Sequence, residues 1–282
     1  MSTANTEQAE FWSGLATTWI EIEERIERTA QLPGRLAMDA LAPVPGDSVV
    51  DLGCGTGITT VELAGRVGPG GSVLGIDISE GMLERARTRA TPAGAGRVDY
   101  RCADVQTHDF GGETFDGAFS RFGVMFYSEP VAAFANVRRS LKPGAGLAFA
   151  CWQEVFANEW MLVPGMAVMS VTGSPPPMPQ PGEPGPFSLC DTGRTCELLA
   201  SSGFGRVEVA AHNDHVALMD EEIPEFAATS LRMGAAREGL KDADDDTRHR
   251  ALEAVEHALE EKSEDGQVAL TRGFLIVSAV AE

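Results

Sequence analysis

A glycine-rich turn between a short apolar strand and a helix constrains the fold of this chain most strongly. Residues 49–57 have the sequence Val-Val-Asp-Leu-Gly-Cys-Gly-Thr-Gly. Residues 48–52 are rich in β-branched apolar side chains, which is typical of a strand, and residues 58–67 have helical spacing. Glycines at such a junction let the backbone approach a ligand closely and place helix N–H groups near it. The sequence therefore predicts an α/β domain with a ligand site at this turn.

Strands and helices continue to alternate after the glycine turn. Further strands are predicted at 73–76, 98–102, 115–119 and 147–152, helices at 80–90 and 130–141, and a Lys-Pro-Gly turn at 142–144. This alternation is typical of a parallel sheet that is covered by helices on both faces.

The segments outside this core have weaker patterns. An apolar stripe predicts an N-terminal helix, with a second short helix at 35–41; the stripe consists of Trp12, Leu15, Trp19, Ile22 and Ile26. Beyond residue 152 we predict helices at 153–172 and 192–202, strands at 207–216 and 274–280, and a charged helical stretch at 221–262. Seven prolines among the thirteen residues 174–186 predict an extended connector.

These patterns divide the chain into four parts. The expected parts are an N-terminal helical segment at 1–45, an α/β core at 46–152, an insertion with the Pro-rich connector at 153–190, and a C-terminal part at 191–282. The last part is expected to return to the core and to carry a helical insertion at about 220–265.

Composition excludes several classes of function. The chain has 22 basic and 42 acidic residues, a net charge of −20, which disfavours a nucleic-acid partner because phosphate backbones are bound by clustered Lys and Arg. The five cysteines form no C-x-x-C pair, so we expect no metal site. No signal peptide and no apolar run long enough for a membrane span is visible, so a cytoplasmic protein without a membrane partner is expected. Whether it forms a homodimer stays open.

Three carboxylates follow successive strands and indicate the kind of ligand. Asp77 lies 20 residues after Gly57, the separation at which a carboxylate accepts hydrogen bonds from ribose hydroxyls in nucleotide-binding sheets. Asp104 ends the third strand and offers an acceptor for an adenine amino group. Asp51, just before the glycines, would repel a pyrophosphate but suits a cationic ligand, and the loop is G-x-G-x-G rather than G-x-G-x-x-G.

These motifs together resemble those of the class I S-adenosylmethionine-dependent methyltransferases. The resemblance covers residues 44–152, and it is closest to the group of quinone-biosynthesis and bacterial small-molecule methyltransferases. It implies a Rossmann-like, mostly parallel seven-stranded sheet with an antiparallel last strand, helices on both faces and helical cap elements, in which 1–45 forms a lid. S-adenosylmethionine is the implied cofactor, and the implied acceptor is a small molecule that is methylated on oxygen, carbon or nitrogen by in-line displacement in a capped apolar pocket.

The resemblance also implies roles for individual residues. Asp77 would bind the ribose, while Ile78 and Met82 would pack against the adenine and Asp104 and Val105 would meet its amino edge. Gly53, Gly55 and Ser120 match positions around the amino-acid end of the cofactor.

The acceptor side of the site is less defined by the sequence. Transfer of a methyl group needs a base only where the nucleophile must lose a proton, and His212 and His215 are the candidates, with His108 after the third strand. Arg121 either pairs with an acidic substrate or forms an internal salt bridge. The aromatic side chains that wall an acceptor pocket or belong to the core are Phe122, Phe126, Trp152 and Trp160.

Two other functions remain compatible with the same loop. One is an NAD-dependent oxidoreductase, although we find neither its third glycine nor hydride-transfer residues. The other is a methyltransferase-like cyclase or binding protein that does not transfer a methyl group, because fold alone does not determine function.

Overall fold

A seven-stranded sheet organises the computed structural model, which describes residues 5–112, 114–175 and 183–282. The strands are β1 (Ser48–Leu52), β2 (Ser72–Asp77), β3 (Arg97–Cys102), β4 (Phe115–Arg121), β5 (Leu141–Trp152), β6 (Phe204–Met219) and β7 (Gln267–Ala281). Their order across the sheet is β3-β2-β1-β4-β5-β7-β6. The first five pair in parallel, whereas β7 runs antiparallel to β5. This topology confirms the predicted Rossmann-like α/β fold, including its antiparallel last strand.

Helices connect these strands. They are α1 (Thr6–Glu21), α2 (Glu23–Leu41), α3 (Ile58–Val67), α4 (Glu80–Arg87), α5 (Pro130–Arg139), α6 (Glu159–Thr172), α7 (Thr192–Ser201), α8 (Ile223–Ser230), α9 (Gly234–Gly239) and α10 (Asp245–Glu260). Helices α4 and α7 begin with a side-chain cap: the Ser79 hydroxyl accepts a hydrogen bond from the Met82 N–H at the start of α4, and the Asp191 carboxylate accepts one from the Arg194 N–H at the start of α7. Proline occupies the first position of α5.

The chain forms two compact units. The first comprises Met1–Trp152, Pro181–Ala211 and Phe274–Glu282, and it contains the glycine turn. The second comprises Gln153–Gln180 and His212–Gly273. The roles expected for the four sequence-defined parts, a lid and a cap among them, stay predictions.

The N-terminal helices differ from the sequence prediction. The apolar stripe predicts one helix through Ile26, but α1 ends at Glu21, and α2 begins at Glu23 after the non-helical Ile22. The separate short helix at 35–41 is wrong, because those residues are the end of α2, which contains Pro33. The register of α2 brings Leu41 against the backbone of β4 and β5, where Gly117 and Gly146 leave room for it.

The Lys-Pro-Gly segment is also not the turn that the sequence predicts. Residues 142–144 lie within β5, which begins at Leu141 directly after α5. The pairing of β4 with β5 shifts register between Phe115 and Gly117, and Gly144 adopts φ +81°, which glycine tolerates. The segment is therefore an irregularity within the strand rather than its boundary.

The second unit has its own apolar core. Its centre lies between α6, α8, α9 and α10, and β6 contributes one side chain and β7 two. The fully buried members include Ala227, Ala251, Val255, Leu259, Val268 and Leu270. The charged helical stretch predicted at 221–262 contains the three helices α8, α9 and α10. Part of the predicted Pro-rich connector, residues 176–182, lies outside the described residues.

Two findings concern sites that this fold does not provide in its described part. Among the described helices, none combines the length and apolar character needed to cross a membrane. Within the same residues, His, Cys, Asp and Glu side chains form no group that could hold a metal ion.

Two glycines provide a paired test of this packing. Gly65 is exposed within α3 and has open space at its Cβ position, so Gly65→Ala should raise the melting temperature by reducing backbone entropy in the unfolded chain. A Cβ on Gly71 would lie 2.7 Å from the Asp47 carbonyl oxygen, so Gly71→Ala should lower the melting temperature. Thermal unfolding of both variants measures this, and equal shifts would contradict the packing at the β1–β2 edge.

Candidate cofactor site

The backbone of the glycine turn has a conformation that requires glycine at three positions. Gly53, Gly55 and Gly57 have φ of +67°, +54° and +80°. A Cβ on Gly53 would lie 2.8 Å from the Cα of Gly123, whereas Gly55 has nothing within 4 Å of its Cβ position. Since side chains rarely adopt this conformation, the three glycines are needed for the turn, and Gly55 leaves open space beside it.

The N–H groups of this turn are already used within the protein. Those of Gly53 and Cys54 donate to the Ile76 carbonyl at 2.8 and 3.0 Å. The N–H of Gly57 donates to the Cys54 carbonyl at 3.0 Å, and that of Gly55 donates to Asp77 Oδ2 at 2.8 Å. A turn that cradles a phosphate directs such groups at the ligand, so this arrangement disfavours an anionic ligand.

Asp51 lies fully buried beneath the turn at the end of β1. Its Oδ2 accepts hydrogen bonds from the hydroxyls of Thr59 and Thr60 at 2.8 and 2.7 Å. Its Oδ1 is buried and has no hydrogen-bond partner among the described residues. Burial raises the pKa of Asp51 to about 6, although the two threonine hydroxyls and the charge of Arg121 oppose the shift. A buried carboxylate with an unused oxygen suits a cation, because a cation would stabilise its charged form.

Asp77 ends β2 at the adjacent edge of the turn. Its Oδ2 accepts from the Gly55 N–H and its Oδ1 from the Ser79 N–H at 2.9 Å, and its side chain stays partly accessible. Burial raises the pKa of Asp77, and these backbone hydrogen bonds limit the shift. A carboxylate accepts about four hydrogen bonds, so capacity remains for two hydroxyl groups. The predicted adenine-packing residues follow directly, with Ile78 partly exposed and Met82 buried on α4.

Asp104 lies after β3 and is hydrogen-bonded to Asn5, the residue that precedes α1. Its Oδ1 accepts from the Gln106 N–H at 2.9 Å and from the amide of Asn5 at 3.4 Å. The side-chain oxygen of Asn5 in turn accepts from the Ser128 N–H at 3.3 Å. Val105 is buried beside Asp104. Sequence reasoning missed Asn5, because a polar residue near a terminus carries no pattern.

Ser120 lies beneath the turn rather than at an open surface. It is fully buried, its hydroxyl donates to the Leu52 carbonyl at 2.7 Å, and it accepts from the Gly123 N–H at 3.2 Å. These bonds hold Gly123 against Gly53 and so fix the start of the glycine turn.

Arg121 has an internal partner. Its guanidinium forms two hydrogen bonds with the carboxylate of Glu27 on α2, at 2.8 and 2.9 Å. The side chain passes over Gly34, where a Cβ would lie 2.7 Å from its Cδ. Of the two interpretations open from the sequence, the structure therefore contains the salt bridge.

Three of the four predicted aromatic residues lie in the unit of the glycine turn. Phe122 stacks on Trp152 with ring centroids 3.8 Å apart, and Phe126 meets Trp12 of α1 edge-on at 4.9 Å. Phe122 has φ +64°, an unusual value for a bulky residue and one that often marks a functional site. Phe122 and Phe126 lie just after β4, whereas Trp152 is the last residue of β5.

Of the remaining candidates, Trp160, His212 and His215 lie in the second unit and His108 lies in the first. Trp160 donates from its indole N–H to Asn158 Oδ1 at 3.1 Å and packs against the apolar core there. His212 and His215 lie on β6, half-buried and exposed respectively. His108, in the first unit, has its Nε2 3.1 Å from an Arg101 guanidinium nitrogen.

The chain is similar to proteins of one family over its core. Residues 49–144 match the profile of a methyltransferase domain. The chain is 37% identical over 116 residues to the aklanonic acid methyltransferase of Streptomyces sp. (strain C5), over 41% of this chain and 53% of that protein. It is 35% identical over 109 residues to the nocamycin O-methyltransferase of Saccharothrix syringae, over 39% of each. These alignments thus span about half or less of the curated relatives' lengths.

Two solved structures share the fold at low identity. The YcgJ protein from Bacillus subtilis has a TM-score of 0.57 and 12% identity, over 89% of this chain and 99% of that chain. The [4+2]-cyclase SpnF has a TM-score of 0.50 and 21% identity, over 88% of this chain and 78% of that chain.

Residues 49–144, with the fold and the acidic glycine turn described above, are thus a methyltransferase domain. The resemblance stated from the motifs is confirmed over this segment, and S-adenosylmethionine is the cofactor that it implies. The side chains fit this group: Gly55 leaves open space, Asp51 offers an unused carboxylate oxygen, and Asp77 has acceptor capacity beside it.

The buried carboxylate of Asp51 should destabilise the ligand-free protein. Because its pKa is raised in the folded state, its contribution to stability falls as pH rises from about 4 through about 6. Asp51→Asn should therefore raise the melting temperature at pH 7.5, and the gain should shrink at pH 5.

Asp116 provides the matched control, since Lys142 and the Ser48 N–H outweigh its burial and hold its pKa below the usual value. Asp116→Asn should lower the melting temperature at pH 7.5. Thermal unfolding at both pH values measures this, and destabilisation by both substitutions at pH 7.5 would contradict the assignment for Asp51.

Proposed function

We propose that this chain transfers a methyl group from S-adenosylmethionine to a small-molecule acceptor, most directly to an oxygen atom. The observation that carries the proposal is the acidic glycine turn, in which Asp51 and Asp77 flank N–H groups that are already used internally. Such a turn offers carboxylate oxygens to a cation and to hydroxyl groups, and it offers little to a phosphate. The names of the relatives support the class of reaction, and that of the nocamycin enzyme supports oxygen as the methylated atom.

The residues of the turn would bind and orient the cofactor. Asp77 would accept hydrogen bonds from the ribose hydroxyls, and Ile78 and Met82 would contact the adenine. Asp104 and Val105 would meet the adenine amino edge beside Asn5.

Asp51 would hold the ammonium side of the amino-acid end of the cofactor through the oxygen that has no protein partner. Ser120 would act from below, because its two hydrogen bonds fix Gly53 and Gly123.

Two aromatic pairs, Phe122 with Trp152 and Phe126 with Trp12, would form the wall of the acceptor site. When bound, the cofactor supplies a methyl group on a sulfonium, which reacts with a nucleophile placed in line with the S–CH3 bond. The stacked pair of Phe122 and Trp152 would present an apolar face to a planar acceptor, and Phe126 and Trp12 would exclude water. Orientation of this kind contributes about 7–11 kcal/mol to lowering a barrier.

No base is required in this proposal. An acidic hydroxyl reaches the site as its anion, and positioning then supplies the catalysis. His212 and His215 stay candidates for a proton acceptor with less acidic substrates.

Calorimetric titration with S-adenosylmethionine, S-adenosylhomocysteine and NAD tests the proposal first. Binding of the first two and not of NAD is expected. Incubation with phenolic and enolic acceptors should then yield a methylated product together with S-adenosylhomocysteine. Binding of NAD in place of S-adenosylmethionine would overturn the proposal, and a rearranged product without S-adenosylhomocysteine would favour the cyclase function.

Asp77→Ala should weaken binding of S-adenosylmethionine markedly, by about tenfold or more, because hydrogen bonds to a charged group contribute roughly 1.5–3 kcal/mol each. Asp99→Ala is the control, since Asp99 is an exposed residue of β3 that pairs with Arg97. Calorimetry on both variants measures the effect. An unchanged Kd in Asp77→Ala would contradict the assignment of Asp77 to the ribose hydroxyls.

A further inference from the structure

A buried carboxylate on helix α2 is not used by the proposed chemistry. Glu23 lies in the first turn of α2 and is only 8% exposed. Its two oxygens accept hydrogen bonds from Arg85, at 3.0 Å, and from Arg89; Arg85 lies in the last turn of helix α4 and Arg89 just after that helix. Burying a carboxylate costs free energy unless it is fully paired, so this position is constrained more than a solvated helix residue.

The same network reaches the glycine turn. The Arg89 guanidinium donates from Nε to the Thr56 carbonyl and from Nη2 to the Thr56 hydroxyl, the latter at 3.4 Å. Burial raises the pKa of Glu23, but hydrogen bonds from Thr56 and Arg89 outweigh it, so the pKa lies below its usual value. Glu23 is therefore charged, and Thr56 has both its carbonyl and its hydroxyl held.

Thr56 lies between two glycines of the turn that have positive φ angles. The N–H of Gly55, on one side, donates to Asp77 Oδ2 at 2.8 Å. Gly57, on the other side, has φ +80° and a Cβ position 2.5 Å from the Tyr100 hydroxyl oxygen. A shift of Thr56 would therefore move the hydrogen bond that orients Asp77.

The ion pair that Asp39 makes from the same helix does not have this reach. Asp39, near the end of the helix, pairs with Arg66 of α3 at 2.6 Å at an exposed position. This pair joins α2 to the core, as the ion pairs of Glu23 do. Its partner Arg66, however, lies in the last turn of α3, at the opposite end of that helix from the glycine turn. The comparison separates helix docking from positioning of the turn.

We propose that Glu23 is a positioning residue for cofactor binding, which acts through Arg89 and Thr56 to hold the glycine turn and the Gly55–Asp77 hydrogen bond. The inference rests on the proposed function, because it assigns Asp77 and the turn to S-adenosylmethionine. It places part of the cofactor site on the N-terminal helices, outside the segment 49–144 that matches the family profile.

The test compares Glu23→Gln with Asp39→Asn, which each remove one carboxylate charge from the same helix; Glu23 pairs with two arginines and Asp39 with one. Glu23→Gln should raise the Kd for S-adenosylmethionine by about tenfold, whereas Asp39→Asn should leave it within about twofold of the wild type. Thr56→Val, which replaces the hydroxyl with a methyl group and leaves the Glu23–Arg89 ion pair in place, should show an intermediate increase.

Hydrogen exchange of the turn separates positioning from general loss of stability. The amides of Gly55 and Gly57 should lose protection in Glu23→Gln at a temperature where the variant is fully folded, and should keep it in Asp39→Asn. In turnover assays KM for S-adenosylmethionine should rise while KM for the acceptor stays constant. An unchanged Kd together with unchanged Gly55 and Gly57 exchange would overturn the inference.

Failure of the proposed function gives a different result. If the wild type binds neither S-adenosylmethionine nor S-adenosylhomocysteine, the proposed function fails. The role of Glu23 in holding the turn is then judged by the exchange data alone, and equal protection of the two glycine amides in Glu23→Gln and Asp39→Asn overturns it.

Discussion

The burial of the Asp51 carboxylate at the end of β1 is the constraint on which the rest of the site depends. The carboxylate is fully buried, is held on one oxygen by Thr59 and Thr60, and has no partner on the other. Alone, such a group costs stability, which its raised pKa reports. The cost has a purpose if a cation completes the site, because charge in a preorganised, water-poor environment interacts strongly with a ligand of opposite charge.

The turn above Asp51 is fixed from three sides. From β2, the Ile76 carbonyl and Asp77 accept its N–H groups. From below, the Ser120 hydroxyl is hydrogen-bonded to the Leu52 carbonyl and the Gly123 N–H, and so keeps Gly123 against Gly53, the first glycine of the turn. From the N-terminal helices, Glu23 reaches it through a guanidinium. The glycines supply the conformation, but these side chains select it from the many that glycine permits. A rigid turn reduces the ordering cost when a ligand binds.

The core was predictable because its signals are local. Residues 48–52 and 58–67 were predicted with the bounds that the structure has, since β-branched residues and glycines mark the ends of both elements. The break at Ile22 and the continuity of α2 through Pro33 have no such local signal. The end of α2 packs through Leu41 against Gly117 of β4 and Gly146 of β5, and periodicity does not contain that packing. The pairing of Arg121 with Glu27, and the role of Glu23, could not be read from a charged helix, because a buried glutamate and a solvated one look alike in sequence. The acceptor site has no local signal.

The central claim is that the buried carboxylate of the turn is completed by a cationic ligand. Calorimetry of S-adenosylmethionine binding in buffers of different ionisation enthalpy measures the protons released on binding. Because a cation stabilises the charged form of a group whose pKa is about 6, binding at pH 5.5 should release a substantial fraction of a proton, and binding at pH 7.0 should release far less. Asp51→Asn should lose most of this difference. Equal proton release and equal affinity at the two pH values in the wild type would contradict the account.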